Sequence, residues 1–321
     1  MRILNVAYPF APVHESTAGG AEQIVRLLDR ALVDHGDESI VIACDGSEVA
    51  GELVPMPAPP PEIDDAWRAR VWQLCRDAIA RAGADLVHYH GVDFPSYYVE
   101  GPSLATLHLP RDHYPPRLPI RCVTPSDIHN GIEIDTYTFR DHKDDFVLTL
   151  GRICPEKGFH VALDAARAAG VPMILAGEVM PYRAHREYFD REIVPRLDAQ
   201  RQFIGPIGGA RKRDLLSRVR CVVIASTIAE TSSLVAMESL ASGTPVVASR
   251  AGALPRIVED GVTGFIVDGD FADAIRHADE ISPRACRTAA ETRFDARRMT
   301  REYLDLYVIL RRADAEGTVR K

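Results

Sequence analysis

From residue 3 to residue 267, short runs rich in Val, Ile, Leu and Ala alternate with stretches whose apolar residues recur three and four positions apart. That alternation leaves few folds open. The runs at 3–8, 39–44, 85–89, 104–107, 121–124, 146–150, 173–176, 220–225, 245–249 and 264–267 read as continuous, predominantly hydrophobic segments. Strands covered on both faces read this way, whereas half-exposed strands alternate with polar residues. Between the first two runs, Ala21, Ile24, Leu27, Leu28, Ala31 and Leu32 follow the helical period, and Gly36 ends it. Strands and helices in steady alternation join parallel strands through right-handed crossovers, which predicts an α/β fold of doubly wound parallel sheets.

A chain of 321 residues is long for one such sheet and suits two units of roughly 150 residues each. The alternation restarts at 146, after the polar stretch 141–145. The expected division is therefore 1–143, an abbreviated first unit; 144–294, a second unit; and 295–321, a last helix that crosses back to the first, with a tail. The stretch 141–145 is the expected hinge. Residues 54–61 read as an extended, proline-rich surface connector, and 313–321 as a frayed end.

Charge and cysteine usage narrow the class of function. A net charge of −8 disfavours a nucleic-acid partner, which needs a basic face. Local positive patches remain possible, and Arg211, Lys212 and Arg213, with Arg218 and Arg220, form the best one. It reads as a solvated helix face and leaves room for peripheral contact with a membrane. The six cysteines stand singly, without CxxC or metal-ligand spacing, as in a reducing compartment. No run approaches the 18 or so apolar residues of a membrane span, and the first strand is broken by Pro9 and Pro12, unlike a signal peptide. A cytoplasmic location is expected, with no metal site and no bound cofactor.

Four segments carry chemistry. In Glu230-Thr231-Ser232-Ser233-Leu234-Val235-Ala236-Met237-Glu238, an apolar strand passes into a helix that stops at Gly243. Ser232 or Ser233 suits the N-cap, and the free N–H groups of the first turn face the crevice where doubly wound folds bind ligands. Glu230, before the helix, and Glu238, within it, can accept from two separate sets of hydroxyls. In Gly151-Arg152-Ile153-Cys154-Pro155-Glu156-Lys157-Gly158, a strand-to-helix loop carries two cations able to bracket one diphosphate, Arg152 as a planar fork and Lys157 as a point charge. Gly19 and Gly20 open the first helix and let a phosphate approach its backbone. His108, at a strand end in the first half, can bond a sugar hydroxyl, and His88, His90 and Asp93 are candidates for an acceptor pocket.

These segments resemble the retaining family-4 glycosyltransferases of GT-B architecture. The resemblance rests on the Glu230-x7-Glu238 spacing, the run 151–158, the Asn130-Gly131-Ile132 turn and the segment 252–267. It implies two Rossmann-like domains with a nucleotide-diphosphate-sugar donor bound in the cleft between them. In that family Arg152 and Lys157 would hold the diphosphate, Glu238 the ribose and Glu230 the transferred sugar. Gly20 would serve a loop closing over the phosphates, His108 would touch the sugar, and the amides of Ser232, Ser233 and Leu234 would complete the contacts. The implied reaction is metal-independent transfer, with retention, to a carbohydrate, lipid-linked or small-molecule hydroxyl. The architecture also serves inverting transferases, epimerases and nucleotide-sugar-binding proteins without turnover. The chain departs from the family pattern in having Thr231-Ser232-Ser233 where a glycine-containing segment is common, and Leu109 where an acid often follows the histidine. It also has a short interval between Thr124 and Asn130.

Overall fold

A computed structural model describes residues 1–315, apart from 16, 18, 61 and 181. The chain forms two compact units: Met1–Asn130 with the residues from Arg297 onward, and Gly131–Ala296.

The first unit holds β1 (Arg2–Val6), α1 (Gly20–His35), β2 (Glu38–Cys44), β3 (Glu52–Met56), α2 (Asp65–Arg81), β4 (Leu86–Tyr89), β5 (Ser103–Thr106) and β6 (Arg121–Val123). Its six strands lie in the order β3-β2-β1-β4-β5-β6, with every pairing parallel. Order reverses between β1 and β4, the switch point of a doubly wound sheet. β1 and β2 are almost wholly buried, which is why both are mostly apolar. One face packs Leu4, Val6, Ile40 and Ile42 against Val71, Cys75 and Ile79 of α2, and the other packs Ala7, Val41 and Ala43 against Val25 of α1. Gly36, left-handed at φ 87°, ends α1 as expected.

The second unit holds β7 (Asp144–Leu150), α3 (Phe159–Ala169), β8 (Met173–Ala176), α4 (Arg183–Tyr188), β9 (Arg201–Phe203), α5 (Gly209–Arg218) and β10 (Val219–Ile224). It continues with α6 (Leu234–Ala241), β11 (Val246–Ser249), α7 (Leu254–Ile257), β12 (Gly264–Val267), α8 (Phe271–Arg276) and α9 (Pro283–Arg293). The strand order β12-β11-β10-β7-β8-β9 repeats the doubly wound pattern and is again all parallel. Here the switch point lies between β7 and β10. The two faces are filled by Val147, Cys221, Val223 and Val247 with α3 and α8, and by Leu148 and Val222 with Leu215 and Leu216 of α5.

Three sequence expectations need correction. Residues 54–56 of the supposed connector belong to β3, an edge strand whose Pro55 pairs in register with Ala43. An edge strand tolerates a proline whose missing N–H faces outward. Pro61 lies outside the described residues. β9 was not anticipated, because Arg201-Gln202-Phe203 is too polar and too short to announce a strand.

The stretch 141–145 is not a free hinge. Lys143 is anchored by its Nζ to Ser217 O at 2.9 Å, Ser242 O at 3.0 Å and Thr244 Oγ1 at 2.8 Å. It thereby places its charge at the C-terminal ends of α5 and α6, where free carbonyls favour a cation. Asp144 pairs with Arg218 at 2.7 Å and Asp145 with Arg220 at 2.9 Å. Residues 131–143 accordingly group with the second unit. Ile132 N donates to Phe294 O at 2.8 Å and Ala296 N to Ile132 O at 2.9 Å, so the chain's two passages between units run side by side.

The last helix, α10 (Ala296–Ala315), belongs to the first unit from Arg297 onward. Its Tyr303 and Tyr307 are fully buried there. The part of the expected frayed tail beyond residue 315 lies outside the described residues.

Candidate functional site

In the second unit, the loops leaving the two switch-point strands carry the charged residues. Ligands of doubly wound sheets bind where those loops diverge. β7 runs into the loop 151–158 and β10 into the loop 225–233. Backbone packing presses the loops together: Thr227 N donates to Glu156 O at 2.8 Å. At Gly158, with φ +62°, an added Cβ would lie 2.0 Å from Ala225 O, so only glycine lets the first loop seat on the end of β10. Gly252 does the same for the second loop, since a Cβ there would lie 2.2 Å from Glu230 O. Ala253 N also holds that oxygen at 2.7 Å.

The result is a contact between residues 73 apart. Lys157 Nζ donates to Glu230 Oε1 at 2.6 Å, and the Ser226 hydroxyl donates to the same oxygen. Glu230 is 10% exposed and Lys157 29%, so the pair sits at the surface of a recess rather than in bulk water. Arg152, on the same loop, is exposed, and its guanidinium makes no hydrogen bond or ion pair among the described residues. Its guanidinium is free to follow an anion.

Glu238 occupies a different setting. Ser233 caps α6, its side chain accepting from Ala236 N at 3.3 Å, as the sequence suggested. Within the helix, Glu238 is only 1% exposed. Its Oε1 accepts from Lys212 Nζ at 2.6 Å and from the Tyr137 hydroxyl at 2.8 Å. Its Oε2 is buried with no partner among the described residues. A buried carboxylate oxygen without a donor is costly, about 1–3 kcal/mol, and such an atom calls for a hydroxyl from elsewhere. Burial first, then the Glu238 charge, push the Tyr137 phenol far up, so it stays a donor.

Lys212 was missed, having been read as part of a solvated basic face. Its Nζ is inward, and the side chain is 14% exposed. The signal was present, because Lys212 lies three and four residues before Leu215 and Leu216, both buried. Helical spacing puts all three on one side of α5. Tyr137 and Ser226 carried no comparable signal, since both sit in irregular segments.

In the first unit the structure assigns different work to the histidines. His88 is fully buried and both ring nitrogens are taken, Nδ1 by the Tyr307 hydroxyl and Nε2 by Thr106 Oγ1, each at 2.7 Å. His90 is 2% exposed, with Nδ1 3.0 Å from His108 Nε2 and Nε2 3.3 Å from Asn5 Oδ1. Asp93 accepts from Trp72 Nε1 at 2.6 Å and the Tyr97 hydroxyl at 3.0 Å. These three form internal struts rather than an acceptor pocket. His88 ties β4 to β5 and α10, His90 bridges Asn5 and His108, and Asp93 bridges Trp72 and Tyr97.

His108 is half-buried, and burial pulls its imidazole down to about 4, so it is neutral at physiological pH. Gly19 is the N-cap of α1, and Glu22 turns its carboxylate back onto it, where an added Cβ would collide. The positive end of that helix thus already faces an acid.

Two six-stranded, doubly wound parallel units are the GT-B architecture, and comparison with solved structures agrees. The chain superposes on sucrose-phosphate synthase from Thermosynechococcus elongatus with a TM-score of 0.79 at 18% identity, covering 98% of this chain and 100% of that one. It superposes on Anabaena HepE, solved in complex with UDP and glucose, with a TM-score of 0.73 at 17% identity, covering 95% and 99%. Residues 144–280 match the family model described as "Glycosyl transferases group 1", so the second unit is a domain of that family. The sequence resemblance to family-4 glycosyltransferases is borne out there. A curated relative, D-inositol 3-phosphate glycosyltransferase of Saccharomonospora viridis, is 37% identical over 133 residues, which is 38% of this chain and 30% of the relative. The chain spans less than half the length of the curated relatives it matches. No helix among the described residues is long and apolar enough to cross a membrane.

Proposed function

We propose that this protein transfers a sugar from a nucleotide-diphosphate-sugar donor to a hydroxyl acceptor, with retention of configuration and without a metal in the chemical step. The observation that carries the reading is the Lys157–Glu230 pair on the two switch-point loops, followed in the next helix by Glu238, one buried oxygen of which has no donor among the described residues. An incoming diphosphate competes with Glu230 for Lys157 and draws in the exposed Arg152. Glu230, released, accepts from hydroxyls of the donor sugar, and Glu238 Oε2 accepts from the ribose. The first-turn amides at Ser232, Ser233 and Leu234, not engaged within the helix, add donors to the same ligand. UDP and glucose in the HepE complex, and the inositol phosphate glycosyltransferase relatives, are consistent with such a donor.

In the step proposed, the bond between the sugar's anomeric carbon and the diphosphate oxygen breaks, and its electron pair leaves with the diphosphate. Arg152 and Lys157 stabilise the charge that develops there, which is the largest contribution fixed groups can make. The acceptor hydroxyl oxygen bonds to the anomeric carbon on the face just vacated, and its proton passes to the departing phosphate oxygen. No protein nucleophile is needed. His108, neutral, is assigned to hold a sugar hydroxyl.

The test is a panel of UDP-, GDP-, ADP- and TDP-sugars, with release of nucleoside diphosphate followed with and without acceptors, and the product's anomeric configuration read by NMR. Acceptor-dependent release with an unchanged anomer is expected. Binding without release would make the chain a nucleotide-sugar-binding protein, and an inverted product would refute the same-face step.

A further inference from the structure

The loop 151–158 carries a second set of polar groups that the proposed reaction leaves unused. Cys154 Sγ, a Glu156 carboxylate oxygen and a His185 ring nitrogen all lie within 4.8 Å of one another. Cys154 and Glu156 come from the loop itself, and His185 from α4, which follows β8. Three different donor types converge here from two elements, unlike a cluster of surface acids.

Each of the three is held in a way that suits ligation. Cys154 is buried, and its Sγ hydrogen-bonds the Glu156 side chain and makes a long contact to Arg152 O at 3.5 Å. Burial pushes its thiol up to about 11, which makes it a poor free nucleophile and argues against a redox or alkylation role. The Nδ1 of His185 is buried and has no hydrogen-bond partner among the described residues. An imidazole nitrogen shut away from water without a partner costs free energy unless something ligates it. Tyr182 packs edge-on against the ring, with centroids 5.3 Å apart, and fixes its plane. Glu156 is exposed, and its side chain is already turned toward the thiol, with which it hydrogen-bonds.

We infer that Cys154, Glu156 and His185 form a binding site for a thiophilic divalent cation, Zn²⁺ being the best match to one sulfur, one nitrogen and one oxygen donor. Zn²⁺ takes these ligand types in tetrahedral array at about 2.0–2.3 Å. Ligand atoms around such an ion stand roughly 3.5 Å apart by that geometry, so the three need only a small contraction, within the rotamer freedom of Glu156. The thiol gives up its proton to solvent as the ion binds, and the fourth position is left to water. Mg²⁺ and Ca²⁺, which prefer all-oxygen shells, do not suit the set.

The site stands apart from the chemistry proposed above, yet it shares a loop with Arg152 and Lys157. An ion there would tie that loop to α4 and restrict how far the two cations can travel. It does not depend on the transferase reading, since its test reads the metal alone.

The experiment is titration of the full chain with Co²⁺, followed by Zn²⁺ displacement. One equivalent of Co²⁺ should give a thiolate-to-cobalt charge-transfer band and tetrahedral visible bands, both abolished by Zn²⁺. Cys154→Ser should remove the charge-transfer band. His185→Gln and Glu156→Gln, at positions outside the core, should each weaken Co²⁺ affinity at least tenfold. Cys122→Ser, in the other unit, should change nothing. Loss of the band in Cys122→Ser, a spectrum indifferent to His185→Gln and Glu156→Gln, or no stoichiometric uptake would overturn the assignment.

Discussion

The Lys212–Glu238–Tyr137 cluster separates what holds the second unit together from what would bind its ligand. Glu238 is 1% exposed and Lys212 14%, so neither charge is well solvated. Breaking such a pair by removing one partner costs about 3–5 kcal/mol, whereas replacing both charges is close to neutral. Lys212→Met still leaves the carboxylate the Tyr137 hydroxyl at 2.8 Å and should fall at the lower end, about 3–4 kcal/mol. Glu238→Gln keeps an acceptor oxygen for both donors, and Lys212 can lean toward solvent, so about 2 kcal/mol is expected. At about 2–4 °C per kcal/mol for a unit this size, that is a drop in melting temperature of about 4–8 °C.

The double variant Lys212→Met with Glu238→Gln should return to within about 1 kcal/mol of the parent protein. Nucleotide binding should not return with it, because the buried anionic Oε2 is gone in both Glu238 variants. A lost hydrogen bond to a charged group is worth about 1.5–3 kcal/mol, roughly a tenfold to hundredfold loss in affinity. Urea unfolding measures the first quantity, and calorimetric titration with nucleoside diphosphates the second. If the double variant recovers both, Glu238 serves only the fold and the ribose assignment fails.

Three other perturbations test different parts of the structure. Arg152→Met or Lys157→Met should lower kcat tenfold to thousandfold (order of magnitude) with a much smaller effect on donor affinity, since charge develops on the diphosphate as its bond breaks; in steady-state kinetics, an equal loss of affinity at constant kcat would contradict that. His108 stays neutral down to about 4 when folded but takes a proton near its ordinary 6.5 when unfolded. His88 and His90 are also pulled well down by burial. The unfolded chain therefore binds more protons across that window, so stability should be full above pH 6.5 and fall as pH drops toward 4. Urea midpoints measured against pH should show this slope, and His108→Gln should flatten it. Lys143→Met should cost about 2–4 kcal/mol by stranding two carbonyls and a hydroxyl at the ends of α5 and α6. A urea-unfolding change below about 1 kcal/mol would mean that those acceptors find water instead.

What the sequence made legible depended on whether a residue's role was local. Strands β8 and β12 were anticipated at their observed bounds, and most others within two residues, because burial on both faces forces a continuous apolar run. The cap at Ser233 and the stop at Gly36 were legible for the same reason, each answering backbone demands within one turn of helix. Lys143 was not, since its meaning lies in partners 74, 99 and 101 residues away. A lysine in a polar stretch looks alike whether it meets water or three buried acceptors.

His88 and His90 failed in the opposite direction. Histidines at a strand end suggested chemistry, but α10 also packs there, and its Tyr307 together with Thr106 of β5 takes both ring nitrogens of His88. The charged residues on the switch-point loops escape this ambiguity through topology. A doubly wound sheet must splay its connections where strand order reverses, so the loops after β7 and β10 border a recess whatever their side chains are. Acids and bases that face one another there across 73 residues, in loops seated by Gly158 and Gly252, are placed by the fold rather than by local propensity. For that reason the assignment of Lys157 and Glu230 to a ligand rests on firmer ground than any reading of the histidines.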